Sequence, residues 1–155
     1  MADDVSIGTI HRNESCCLPC RTTGLEMDRK KILVVEDNLD NRRILVYRLK
    51  RIGEFDIVEA GNGQEALSLV ESEAPDLIFM DLKMPVMDGW EATRRIRLLE
   101  VGRRIPIIAL TAQAMAGDEQ KALAAGCDDY VAKPIVDPSV VRSKLERLLK
   151  DATLN

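Results

Sequence analysis

Four apolar runs in this chain each end in a residue that can handle phosphate or a hard cation. Glu36 and Asp37 follow residues 32–35. Asp81 follows residues 77–80. Thr111 follows residues 105–110, and Lys133 with Pro134 follows residues 130–132. If brought together, these supply three carboxylates, one hydroxyl and one ammonium. Three clustered carboxylates repel one another and raise each other's pKa. Ionised together they require a counter-charge, and Mg²⁺ suits a site with few protein oxygens and several waters. A carboxylate beside Mg²⁺ can attack phosphorus. The metal and a lysine then neutralise the charge spread over the phosphoryl oxygens, and a threonine hydroxyl can bond one of them.

The elements that position these residues follow from the hydrophobic pattern. Apolar runs appear at 32–35, 55–58, 77–80, 105–110 and 130–132, and several are nearly unbroken, as in parallel strands buried on both faces. Pro106 stands at the start of its run, where a missing N–H does least harm. Between the runs, Leu45, Leu49 and Ile52 recur at helical spacing, as do Val141, Leu145 and Leu148. Asp137-Pro138 reads as an N-cap with proline at the first helical position. Gly53, Gly102 and Gly126 each follow a helical stretch and read as stop signals. A β-α unit repeated five times implies an α/β fold, a parallel sheet with helices on both faces. In such a sheet the C-terminal strand ends share one edge, where ligands bind.

Composition narrows the function. A 155-residue chain fits one domain, and with only 3% aromatic residues its core must be aliphatic, which favours alternating α/β over a β-sandwich. A formal charge of −4 argues against non-specific nucleic-acid binding. The cluster Arg94, Arg95, Arg97, Arg103 and Arg104 reads first as a solvated helix face and second as a docking surface for an acidic partner. No run approaches a membrane span and no secretory signal is evident, so the expected location is cytoplasmic, with reduced thiols.

The motifs V-V-E-D-N (34–38), D-L-K-M-P-V-M-D-G (81–89), A-L-T-A (109–112) and Y-V-A-K-P-I (130–135) resemble those of response-regulator receiver domains, in the family order. The resemblance runs from Lys31 to about Leu149. It implies a flavodoxin-like, doubly wound sheet of five parallel strands, order 2-1-3-4-5, with five helices. It implies Asp81 as phosphoacceptor. Asp37 and Asp81 become Mg²⁺ ligands, with Glu36 completing the acidic pair, often through water, and the Lys83 backbone carbonyl as a further ligand. Thr111 and Lys133 become the phosphoryl-sensing pair and Tyr130 the aromatic switch. Lys133-Pro134 matches a bond that is usually cis in the family, which proline makes accessible. The implied partners are a histidine kinase or histidine phosphotransfer protein, and a downstream protein meeting the surface of the fourth helix, fifth strand and fifth helix. Direct nucleic-acid contact and membrane insertion are not expected. Residues 109–118 and 124–130 resemble, more loosely, stand-alone cell-cycle regulators and hybrid-kinase receiver modules. The role implied is a signalling switch, not an enzyme, beyond self-phosphorylation and slow self-dephosphorylation.

Rival readings are weaker. A haloacid-dehalogenase-type phosphatase uses a similar residue set but needs a general acid two residues after the nucleophile, where this chain has Lys83. A pseudo-receiver scaffold would show an eroded acidic site. Residues 61–66 match G-x-G-x-x-A, but after the second strand, where a turn capping a helix is the better account. Residues 1–28 read as a flexible N-terminal extension, 29–151 as the receiver and 152–155 as a C-terminal tail. The extension carries His11, Cys16, Cys17 and Cys20, and its C-x-x-C spacing suits zinc or redox chemistry, though no second pair follows. A start at Met27 would also read as a typical receiver opening. Cys127 reads as a small buried apolar residue.

Overall fold

The three-dimensional structure is a computed structural model that describes residues 29–112 and 117–153. The extension 1–28, with its cysteines, lies outside the described residues. The chain begins β1 (Lys31–Val35), α1 (Leu39–Ile52), β2 (Asp56–Ala60), α2 (Gly63–Glu73), β3 (Leu77–Asp81) and α3 (Gly89–Leu98). It continues β4 (Ile107–Thr111), α4 (Asp118–Ala125), β5 (Asp129–Ala132) and α5 (Pro138–Thr153), with a 3-10 turn at Val101–Arg103. All strand pairs are parallel, and the sheet order is β2-β1-β3-β4-β5. This is the doubly wound order that the motifs implied.

Alternation along the strands builds two cores. Leu33, Val35, Ile78, Met80, Ile107 and Ala109 face α2, α3 and α4. Ile32, Val34, Leu77, Phe79, Ile108 and Leu110 face α1 and α5. Every residue of β3 and β4 is buried, which explains why those runs are unbroken in sequence.

Local signals account for most boundaries. Asn38 caps α1 by accepting from the N–H groups of Asp40 and Asn41. Asn62 accepts from Glu65 N–H, and the Glu65 carboxylate accepts from Gly61 N–H at 2.7 Å. That reciprocal cap accounts for the glycine-rich stretch at 61–66. Asp137 accepts from Ser139 N–H at the start of α5.

Of the three expected stop signals, Gly53 caps α1 and Gly126 caps α4 at φ 107°. Gly102 does not end a helix. The cap of α3 is Leu99, and Gly102 lies in the 3-10 turn. A β-carbon there would fall 2.1 Å from the Ile96 carbonyl oxygen, so close packing selects this glycine. Strand β4 begins two residues later than the apolar run, at Ile107. Pro106 has no N–H for the ladder, although its carbonyl accepts from Ile78. Among the described residues no helix is long and apolar enough to cross a membrane.

Candidate functional site

The strand order decides where the chemistry gathers. The chain moves from β1 outward to β2, then crosses back so that β3 lies on the other side of β1. The gap between the β1 and β3 C-terminal ends is therefore the reversal point of the sheet. Glu36 and Asp37 leave β1 at this point, and Asp81 is the last residue of β3. Carboxylate oxygens of all three lie within 4.8 Å of one another. Glu36 and Asp81 are buried, and Asp37 is exposed. Thr111 ends β4 next door and is buried. Lys133 follows β5, its N–H donating to the Thr111 carbonyl at 2.6 Å. The bond from Lys133 to Pro134 is cis. The five strand-end side chains thus share one edge.

Charge explains the arrangement within it. The Lys133 ammonium donates to Glu36 and lies 2.9 Å from Asp81 Oδ2. The other Asp81 oxygen accepts from Lys83 N–H at 3.2 Å. Burial pushes the Glu36 carboxyl above its ordinary range; Lys133 opposes that shift and the Asp81 charge adds to it. Burial would lower the Lys133 ammonium, but its bonds to Glu36 and Asp81 outweigh this and hold it above its usual value. Three ionised carboxylates against one ammonium leave two uncompensated negative charges. The donors are all hard oxygens. This set fits a divalent cation such as Mg²⁺ in charge and in chemistry.

Several supporting residues were not legible in the sequence. Arg42 donates to the Glu36 carbonyl at 2.8 Å and to Glu59 Oε2 at 3.0 Å, so α1 grips both the acidic turn and β2. The Asn41 amide donates to Glu36 Oε1 at 3.4 Å. Nothing in the spacing marks either one. Gly89 opens α3, and a β-carbon there would sit 2.1 Å from the Asp81 carbonyl oxygen. The D-G pair at 88–89 was the visible sign of that close approach. Trp90 follows it, half-buried against the same core as Met80.

Tyr130 stands on β5, opposite Ala109 in the ladder. Its ring lies beneath Lys144 Nζ, 5.2 Å from the centroid. A bond to Glu119 holds its phenol above the ordinary range. Asp129 is buried and binds both Lys144 and Arg147 of α5. Ala109 and Thr111 lie on one face of β4, so Tyr130 is placed beside the strand that carries Thr111.

The arginine cluster is internally neutralised for the most part. Arg94 and Arg95 pair with Glu91, and Arg97 pairs with Asp128 while donating to the carbonyls of Gly102, Ile105 and Gly126. The first reading of that cluster, a solvated helix face, fits Arg94 and Arg95. Cys127 is buried against Thr93, and burial pushes its thiol up to about 11.

Comparison with known proteins adds to this geometry. Residues 32–146 match the family described as the response regulator receiver domain. Over 120 residues the chain is 45% identical to hybrid signal transduction histidine kinase I of Dictyostelium discoideum, covering 73% of this chain but only 7% of that protein. Over 123 residues it is 37% identical to the polar-differentiation response regulator DivK of Brucella anthropi, covering 79% of this chain and 98% of DivK. Among solved structures, the receiver domain of sensor histidine kinase PA1611 from Pseudomonas aeruginosa PAO1 superposes with a TM-score of 0.73 at 40% identity. That match covers 79% of this chain and 98% of the other, which holds a magnesium ion in its active site cleft.

Proposed function

The chain belongs to the response regulator receiver domain family, and from that premise we propose that it accepts a phosphoryl group on Asp81 from a histidine kinase or histidine phosphotransfer protein. Receiver domains are signalling switches rather than classical enzymes. The observation that carries the assignment is the setting of Asp81. It is buried at the end of a central strand, bracketed by Lys133 at 2.9 Å and by two further carboxylates within 4.8 Å.

Chemically, an Asp81 carboxylate oxygen forms a bond to phosphorus as the donor's phosphorus–nitrogen bond breaks, and the electron pair stays on the donor imidazole. Asp37 and Asp81, with the Lys83 carbonyl and Glu36, are the groups that would hold Mg²⁺. Bound there, the ion would neutralise charge on the transferring phosphoryl group. Lys133 exchanges its bond to Asp81 for one to a phosphoryl oxygen while Glu36 keeps hold of it. The Thr111 hydroxyl donates to another oxygen. Tyr130 then turns toward the space beside Ala109, which changes the surface shared by α4, β5 and α5. A downstream protein reads that surface.

Incubation with Mg²⁺ and acetyl phosphate tests the assignment. Intact-mass spectrometry should show one base-labile phosphoryl adduct, absent in Asp81→Asn. The same adduct on Asp81→Asn would overturn it.

A further inference from the structure

The outward face of α1 sets exposed apolar residues beside arginines that form no ion pair among the described residues. Ile44 is 51% exposed and Tyr47 60% exposed, one turn apart on the same side of the helix. They line a shallow groove of about 650 Å³ with Arg43, Arg48, Arg51 and Pro138. Arg51 lies over the Tyr47 ring at 5.7 Å and donates to its hydroxyl. Among the described residues Arg43, Arg48 and Arg51 form no ion pair. By contrast, Arg42, Arg94, Arg95, Arg97 and Arg147 each hold a carboxylate. On a chain of net charge −4, this is a local basic and apolar surface. A contiguous exposed apolar patch flanked by unneutralised charge marks a contact surface.

The chain itself carries a matching occupant. Residues 1–28 contain Asp3, Asp4, Glu14, Glu26 and Asp28 against Arg12 and Arg21, a side-chain charge of −3. They also supply Val5, Ile7, Ile10, Leu18 and Leu25. The root of this segment is next to the groove. Arg29 pairs at 3.3 Å with Glu54, which follows the C-terminal end of α1, three residues after Arg51. Reach is not limiting. Fully extended, 28 residues span about 90 Å, whereas the 14-residue α1 is about 21 Å long.

We propose that the acidic N-terminal segment of this chain docks on its own α1 face, with its carboxylates on Arg43, Arg48 and Arg51 and its apolar residues on Ile44 and Tyr47. Arg48 also donates to the Ile135 carbonyl, two residues past Lys133. The covered face therefore adjoins the edge that carries Asp81.

Paramagnetic relaxation in the full chain tests this. With Cys16→Ser and Cys20→Ser, a nitroxide is placed on Cys17; Cys127 does not compete, because it is buried with a thiol pushed up to about 11. The amides of residues 43–51 should lose intensity relative to the reduced label. That loss should vanish in Arg43→Glu/Arg51→Glu and fade as salt rises. No loss on α1, or a loss unchanged by both the variant and salt, overturns the proposal. So does loss that appears on isotope-labelled chains only when a separate nitroxide-labelled chain is added, since the occupant is then a second copy. The acetyl phosphate adduct on Asp81 is measured independently, so failure of the docking and failure of the phosphoacceptor assignment are told apart.

Discussion

Lys133 Nζ sits 2.9 Å from Asp81 Oδ2 while donating to Glu36, so one ammonium holds two buried carboxylates at the end of the sheet. Removing it strands both charges. Lys133→Met should cost about 3 kcal/mol of stability without metal, in the range for breaking a buried pair. Mg²⁺ should return part of this. Urea melts with and without Mg²⁺ at neutral pH provide the check, and a metal-free loss below about 1 kcal/mol would contradict the counter-ion role.

The raised Glu36 carboxyl sets a pH dependence with a definite sign. A carboxyl whose folded pKa exceeds its unfolded value binds more protons in the fold. Its stabilising contribution is therefore present below about pH 4.5 and is lost as pH rises through the folded value. A divalent cation competes with that proton. The stabilisation by Mg²⁺ should thus grow as pH rises above about 4.5, reaching about 2.7 kcal/mol at a hundredfold excess over Kd. Asp37→Ala should lose most of this gain. Thermal melts across that pH range decide the matter, and an undiminished Mg²⁺ response in Asp37→Ala would remove Asp37 from the metal site.

Gly89→Ala should be among the most damaging single substitutions in the domain. The new methyl would lie 2.1 Å from the Asp81 carbonyl oxygen, a backbone atom that cannot step aside without moving Asp81 itself. The expected cost is about 3 kcal/mol, at the upper end for overpacking. The rate of labelling by acetyl phosphate should fall with it. Denaturant melts and labelling time courses measure both, and a variant with native stability and rate would show that α3 can shift freely.

Thr111→Ala separates acceptance from switching. Asp81 should still gain its phosphoryl group, because Thr111 is not among the carboxylates or cations around it. The shift of Tyr130 resonances on adding beryllofluoride should shrink, since the hydroxyl proposed to draw β4 toward the phosphoryl oxygens is gone. A full wild-type shift pattern in the variant would place the relay elsewhere.

The strand-end residues were legible because a parallel sheet converts sequence position into spatial position. Each follows an unbroken apolar run, and the runs are unbroken because β3 and β4 are covered on both faces. Strand β2 was less clear. Its exposed Glu59 breaks the apolar pattern, since this edge strand is only partly covered and Glu59 reaches out to Arg42. The Arg42 grip on the Glu36 carbonyl left no trace in the spacing because it depends on how α1 lies over the sheet. The sharing of Lys144 between Asp129 and Tyr130 was hidden for the same reason, being set by the docking of α5 on β5.

Trp90 is the only tryptophan in the chain, and it directly follows the glycine that presses on the Asp81 carbonyl. The indole is half-buried between core and solvent, where emission is sensitive to small changes in packing and polarity. The molecule therefore carries an intrinsic fluorophore one residue from the glycine that abuts the Asp81 backbone. Cation titrations and acetyl phosphate incubations of the unmodified protein can be read by fluorescence, with no second indole contributing background.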